Sequence, residues 1–242
     1  MTTLTKLLAA AIAALLLTSC NFDMNFGEGK RGNGNVVSET RNVSEDFEVI
    51  KAQEGLDVYV TQGDVAAIEV EADENIIELI ATDIKDGVLR VHAEESIGRA
   101  SSKKVYVTTP TIKELDASSG ADIVAKQTIK ADKIALDTSS GADIRVTVNA
   151  TEVSADASSG SDIVVEGNAE VLIADSSSGA DIKAGNLLVK KCIADASSGS
   201  DITVHVTEDL KANASSGADI RYRGNPEKIS KNKSASGSVY KQ

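Results

Sequence analysis

One nine-residue block comes round six times along the chain: LDASSGADI at Leu115, LDTSSGADI at Leu136, ADASSGSDI at Ala155, ADSSSGADI at Ala174, ADASSGSDI at Ala194 and ANASSGADI at Ala212. A shortened seventh copy, SASGSVY, begins at Ser234. The glycines fall at Gly120, Gly141, Gly160, Gly179, Gly199, Gly217 and Gly237, at intervals of 18 to 21 residues. A period this short is one supersecondary unit that cannot bury its own apolar side. Copies must stack, and stacking makes a solenoid.

Within each repeat, apolar or small residues alternate with polar ones on both sides of the glycine, and a period of two predicts strands. In the second copy Ile134, Leu136, Thr138, Ala142, Ile144 and Val146 face inward, while Asp137, Ser139, Asp143 and Arg145 face water. Ser-Ser-Gly between the strands predicts a corner, with glycine supplying positive φ. A second corner is expected at Gly167-Asn168, Gly185-Asn186, Gly224-Asn225 and Asn149. The expected fold is therefore all-β, a parallel β-helix or β-solenoid of about 20-residue coils, each with two or three short strands. Seven turns spaced by about 4.8 Å would give a stack of roughly 30 Å. With aromatics at only 3 % and no tryptophan, a narrow interior filled by Ala, Val, Ile and Leu suits the composition.

Residues 36–110 alternate without the serine corners. Leu56, Val58 and Val60, then Ile68, Val70 and Ala72, point to strands, and Asp86-Gly87 to a tight turn before Val88-Leu89-Arg90-Val91. Glu74-Asn75-Ile76-Ile77-Glu78-Leu79-Ile80 has room for one helical turn. This region is expected to form irregular coils or a small sheet capping the repeats of 111–242, the two making one continuous domain over 36–242. At the far end Val239 and Tyr240 stand in the Asp and Ile places of the block, as a second cap.

The first residues give an address. Lys6 precedes an eleven-residue apolar run at 7–17, too short for a membrane-spanning helix, and Leu17-Thr18-Ser19-Cys20 follows. That is a signal peptide over 1–19, with ordinary secretion as the plainer alternative. Leu-Thr-Ser-Cys resembles the lipobox of bacterial lipoproteins, which implies lipid on Cys20 and a membrane partner through it. Residues 20–35, rich in Gly and Asn, read as a flexible tether. With Cys20 acylated, Cys192 has no disulfide partner and is expected to be a small core residue.

Stacking turns the repeat into two files of carboxylates. Asp116, Asp137, Asp156, Asp175 and Asp195, continued by Asn213, form one; Asp122, Asp143, Asp162, Asp181, Asp201 and Asp219 form the other. Neighbours one coil apart repel by roughly 1 kcal/mol in water. Serine hydroxyls or corner N–H groups donating to each Asp would offset this; so would Ca²⁺ held by oxygen ligands, or the files could present an acidic strip to a partner. The block lacks the nonapeptide of calcium-binding β-rolls. A formal charge of −12 argues against nucleic acid as a partner.

Catalytic motifs are not evident. His92 and His205 have no metal-ligand spacing, and no nucleophile elbow or phosphate loop occurs. Arg145 and Arg221 near the Asp files keep open a carbohydrate-active β-helix enzyme as a minority reading. An Arg or Lys above paired aspartates in one coil only would favour the enzyme, and a uniform face would favour adhesion.

The order of FEVIKAQEGLDVYVTQGD (from Phe47), DGVLRVHAEES (from Asp86), KVYVTTPTIKELDASSGADI (from Lys104) and the serine-glycine repeats resembles the family described as putative auto-transporter adhesin, head GIN domain. The resemblance implies a parallel β-solenoid and adhesion, with no catalytic residues. On this reading the chain is a lipid-anchored adhesin or structural module of the bacterial envelope, an outer-membrane lipoprotein facing the periplasm or the surface, with the lipid on Cys20 in place of a translocator barrel. Its partner would be a host or envelope protein or a glycan. A calcium-dependent coat component is the other alternative.

Overall fold

The computed structural model describes residues 29–232 and 236–242. The signal segment, Cys20 and residues 21–28 of the expected tether lie outside the described residues; the rest of it, 29–35, is not a free tether but is held to the cap, with Lys30 N–H donating to Ser96 O and Gly32 N–H to Arg99 O. Apart from one 3₁₀ turn at Ile77–Leu79, within the stretch where a helical turn was expected, the regular structure is all strand.

The repeats wind as expected, in parallel and in register. β1 (Val36–Arg41), β2 (Val49–Ala52), β3 (Asp57–Gln62), β4 (Ala67–Asp73), β5 (Ile80–Lys85), β6 (Val88–Ala93) and β7 (Lys103–Thr109) precede them. The repeats supply β8 (Glu114–Ala117), β9 (Asp122–Ala125), β10 (Ile129–Thr138), β11 (Asp143–Ala157), β12 (Asp162–Ser176), β13 (Asp181–Ala196) and β14 (Asp201–Ala214), and the stack ends with β15 (Asp219–Arg223), β16 (Lys228–Lys231) and β17 (Ser238–Lys241). From β11 to β14 each coil is one long strand and one serine-glycine corner, where two or three short strands were expected. Between β11 and β12 the strand bends without a shift of register, whereas the ladder shifts at the bend between Val164 and Glu166 of β12 against β13 and between Ala184 and Leu188 of β13 against β14. In β11 the inward positions run 144, 146, 148, 150 and then 153, 155, 157, so an extra residue at the bend switches the facing parity while Ala150↔Ala169 and Glu152↔Val171 stay paired.

Of the expected second corners only Gly224-Asn225 lies outside a strand, with Gly224 at φ 92°; Gly167 has φ 110°, but it, Asn149 and the Gly185-Asn186 pair all lie inside continuous strands. A Cβ on Gly167 would lie 2.1 Å from the carbonyl oxygen of Val148 in the coil beside it. Here close approach of backbone, as much as conformation, demands glycine.

The serine-glycine corner is a four-residue turn. Ala121 N–H donates to Ser118 O across it, and both central residues are left-handed, Ser119 at φ 54° and Gly120 at 73°. Two positive φ values in succession are the mark of a type I′ turn. Each corner also joins the ladder, as Gly141 N–H donates to Ser159 O and Gly160 N–H to Ser178 O. The serines therefore carry part of the conformational cost, at about 1–2 kcal/mol for each left-handed non-glycine residue.

Inside, identical residues stack. Ile123, Ile144, Ile163, Ile182, Ile202 and Ile220 form one fully buried column, each side chain contributing about 2–3 kcal/mol of burial. Small residues fill the space beneath the corner, and the polar ones are satisfied: Ser161 Oγ donates to Ser158 O at 2.8 Å and Ser200 Oγ to Ser176 O at 2.7 Å. Cys192 packs in register between Leu172 and Leu210.

The parallel stack does not begin at residue 111. β2 lies between β6 and β8, and β3 between β7 and β9, all parallel. Gln53-Glu54-Gly55 is a further corner, with Glu54 and Gly55 at φ 62° and 69°. The order along the stack is thus 88–109, then 49–62, then 114–125, so the first coil in sequence is inserted between the second and third. The cap lies beyond: β4 runs antiparallel on β7, β1 on β4 and β5 on β6. Buried Asp73 ties it together, accepting from the N–H groups of Gly34, Ser101 and Ser102 at 2.7 to 3.0 Å. Burial pushes its carboxyl up, but these three donors prevail and hold it below its ordinary value.

The seventh copy is one residue short. Ser238 pairs with Asp219 and Val239 with Ile220, one place from the expected alignment. Gly237 thereby stands in the inward place of Ala218, its φ outside the left-handed region, and a Cβ there would lie 2.5 Å from the Ala214 carbonyl. It is not a corner glycine. Val239 packs against the core and Tyr240 turns outward.

Candidate functional site: the charged face of the repeats

Parallel pairing brings the two files of aspartates together as strand neighbours. Asp116↔Asp137, Asp137↔Asp156, Asp156↔Asp175, Asp175↔Asp195 and Asp195↔Asn213 are consecutive partners. Asp122↔Asp143, Asp143↔Asp162, Asp162↔Asp181, Asp181↔Asp201 and Asp201↔Asp219 make the second file. Both extend past the recognisable repeats. Lys51 sits beside Asp116, and Asp57 beside Asp122 with Lys104 beyond it. Sequence spacing hid these three, because 63–110 interrupts the period; the signal was the match of IKAQEGLDV to LDASSGADI.

The expected serine hydrogen bonds to aspartate do not form in either file among the described residues. The hydroxyls of Ser161, Ser176 and Ser200 point inward to backbone carbonyls. In the second file, cations two residues after the aspartates take their place. Arg145 meets Asp143 at 2.7 Å; Lys183 bridges Asp162 at 2.7 Å and Asp181 at 3.4 Å; Arg221 bridges Asp201 at 3.0 Å and Asp219 at 3.7 Å. They recur in every second coil, alternating with Val124, Val164 and Thr203 in the same row. Each such surface pair contributes about 0–1 kcal/mol, and together the three cations offset about half of the charge of the six aspartates.

The first file is neutralised only at its ends. Lys51 Nζ lies 2.8 Å from Asp116 and 3.3 Å from Glu114, and Asn213 Nδ2 donates to Asp195 Oδ1 at 2.9 Å. Between them, burial and then the charges of Glu114, Asp116 and Asp156 push the Asp137 carboxyl up to about 6. Burial followed by Asp156 and Asp195 raises Asp175. In the other file burial, then Asp143 and Asp57, raises Asp122. Repulsion is thus only partly relieved, and the direction is the one expected without serine donors.

Among the described residues no group of three or more His, Cys, Asp or Glu side chains converges as a metal site would require. A stacked column spaces its carboxylates along the rod, whereas Ca²⁺ needs six to eight oxygens around one point. His92 Nε2 pairs with Asp83 Oδ2 at 2.8 Å, and His205 lies in register between Leu188 and Arg223. A groove of about 560 Å³ along 111–113, 130–135 and 152–154 has an apolar floor. Two of its three lysines, Lys113 and Lys133, are paired with Glu48 and Glu152. At the cap end Tyr59 and Tyr106 stack at 5.3 Å, with Lys126 Nζ 3.8 Å over the Tyr59 ring.

The family model described as putative auto-transporter adhesin, head GIN domain, matches residues 46–226. Three solved structures share the fold. A putative adhesin from Bacteroides fragilis superposes with a TM-score of 0.82 at 20 % identity, over 88 % of this chain and 100 % of its own. A putative adhesin from Parabacteroides merdae gives 0.73 at 22 %, over 88 % and 98 %, and a putative lipid binding protein from Parabacteroides distasonis 0.71 at 20 %, over 88 % and 99 %. No curated protein matches the sequence.

Proposed function

We propose, from the premise that this chain belongs to the family of putative auto-transporter adhesins with a head GIN domain, that it is a surface-binding module of the bacterial envelope. The observation that carries this is the regular alternation of cations along the second aspartate file: Arg145, Lys183 and Arg221 each serve aspartates of their own coil or its neighbour. An enzyme would concentrate a cation over paired carboxylates in one coil. Here the same arrangement recurs every second coil, and a repeating surface suits a repeating partner, such as a glycan chain or a polymeric envelope protein. Weak contacts at equal spacing then add as multivalent binding without any single deep pocket.

In this proposal lipid on Cys20 holds the module at the outer membrane, through the short segment before Gly29, with the capped end nearest the bilayer. Several acyl chains anchor stably where one binds only marginally. Replacing Cys20 with Ser should move the protein from the membrane fraction to the soluble one and abolish incorporation of labelled palmitate. Added protease should digest the wild-type protein on intact cells. Protection from protease on intact cells, with digestion only after lysis, would refute the surface role while leaving the anchor standing.

A further inference from the structure

Two residues beyond the second aspartate file, the next outward row alternates short side chains with long ones: Val124, Arg145, Val164, Lys183, Thr203 and Arg221 are consecutive partners along the stack. The long ones lean onto the aspartates that they pair with, and the short ones leave hollows between them. Two hollows of about 230 Å³ each lie end to end along the rod, the first over Val124 and Thr147, the second over Gly185 and Thr203, and they meet at Val164 and Glu166. The result is a shallow trough that crosses the strands and spans about 19 Å from Val124 to Thr203, four strand spacings.

Gly185 keeps the second hollow open. It sits where the pairing of β13 is irregular on both sides, but its φ lies outside the left-handed region, so conformation does not require glycine there. A Cβ would stand 3.1 Å from Thr203 Cγ2 and 3.5 Å from Arg223 Nη1, inside the hollow. Glycine within a strand often marks such a place, where another group must come close.

Charge and spacing select the occupant. The rims carry both signs, already satisfied: Arg145 meets Asp143, Lys183 meets Asp162 and Asp181, and Asn186 Nδ2 donates to Glu166 Oε1 at 3.0 Å. A polyanion would face the aspartate file, and a polycation would have to displace the cations that hold it. A hydroxyl both donates and accepts, so a neutral polyol can bond to each pair without parting it. An extended polypeptide turns a side chain to one face about every 6.4–6.8 Å and falls out of step with hollows recurring every second coil, about 9.6 Å. One disaccharide of an extended glycan has the matching length.

We infer that this trough is a glycan subsite, taking a neutral, extended β-linked oligosaccharide along the rod with one disaccharide in each hollow. Resting on the surface-binding role proposed above, this narrows the partner to an uncharged glycan.

The test titrates full-length protein, in a detergent without sugar, with cellotetraose, mannotetraose and chitotetraose, and follows the methyl resonances of Val124, Val164 and Thr203. Tetragalacturonate, the tetramer of glucosamine and an uncharged valine-threonine peptide serve as comparisons. At least one neutral tetrasaccharide should bind saturably, shift those methyls and keep its affinity at high salt. For that sugar, affinity should rise about tenfold or more from disaccharide to tetrasaccharide as the second hollow fills, and Val164→Tyr should undo the gain. Tyrosine already stands in this row at Tyr59 and Tyr240, so the substitution fills both hollows with a side chain that the row accepts. Binding by none of the three sugars, shifts confined to other methyls, or tighter and salt-sensitive binding of a charged tetramer would overturn the proposal. So would saturation of these methyls by the peptide alone, which would make a polypeptide the occupant. The methyl shifts and the salt response are read on the wild-type protein, so a variant that fails to fold does not leave the matter open. Absence of sugar binding by a protein that protease digests on intact cells would sink the trough alone, and sugar binding by a protein protected on intact cells would sink the surface role alone.

Discussion

Replacing Asp137 with Asn should stabilise the protein at neutral pH and leave it unchanged in acid. Asp137 is the second aspartate of its file, with aspartates on both sides, and its carboxyl is raised from 3.8 to about 6, first by burial and then by Glu114, Asp116 and Asp156. A raised carboxyl favours the protonated form in the folded state. The penalty is therefore absent below the unfolded value, grows as pH rises from about 4 to 6, and is fully present above the folded value. The ceiling is roughly 3 kcal/mol, which solvent screening of a partly exposed group cuts to about 1–1.5 kcal/mol. Asparagine removes the charge at nearly constant shape, and Asn213 already occupies this file, donating to Asp195. For a domain of this size the gain is about 2–5 °C in Tm. Paired thermal melts of wild type and D137N at about pH 7.5 and about pH 3.5 isolate it, since every other group cancels in the difference. An equal gain at both pH values, or a loss at neutral pH, would show that the column is not under electrostatic strain.

Two glycines separate conformation from contact. Gly160→Ala should cost about 1–2 kcal/mol for left-handed backbone alone, since no atom lies within 4 Å of the added Cβ, and Gly160→Val should cost more because β-branching makes that conformation a true outlier. Gly167→Ala should cost more than Gly160→Ala in a denaturant titration, because its Cβ meets the Val148 carbonyl at 2.1 Å; the reverse order would contradict the stacking of the two coils. In a Cys20→Ser background, Cys192 should resist thiol reagents until the protein unfolds, because burial pushes its thiol up to about 12, and rapid labelling under native conditions would place it outside the core. Millimolar Ca²⁺ should leave Tm where a chelator leaves it, whereas a rise of several degrees would mean that the aspartate files close around a cation.

Most of the architecture was legible because the repeat is literal. A glycine every 18 to 21 residues with alternation around it admits few folds other than a stacked coil, and the register that sets Asp137 between Asp116 and Asp156 follows from aligning the text with itself. The cations of the second file were harder to see. Arg145 and Arg221 stood out beside the aspartates, but Lys183 completes the alternation and needed side-chain reach to reveal it. The serine corners misled in one respect: their composition suggested hydroxyl donors for the aspartates, while the serine hydroxyls that bond inward are those of Ser161 and Ser200, one place beyond the corner glycine.

Local periodicity determined the strands, the left-handed corners, the inward isoleucine column and the two acidic files, because each depends only on which residue follows which and on repeats packing against their like. Tertiary structure alone decided the order of the first three coils, the insertion of 49–62 between 88–109 and 114–125, and the one-residue slip that turns Tyr240 outward. These are matters of which edge meets which. A backbone edge looks the same to its own sequence whatever strand comes to lie against it.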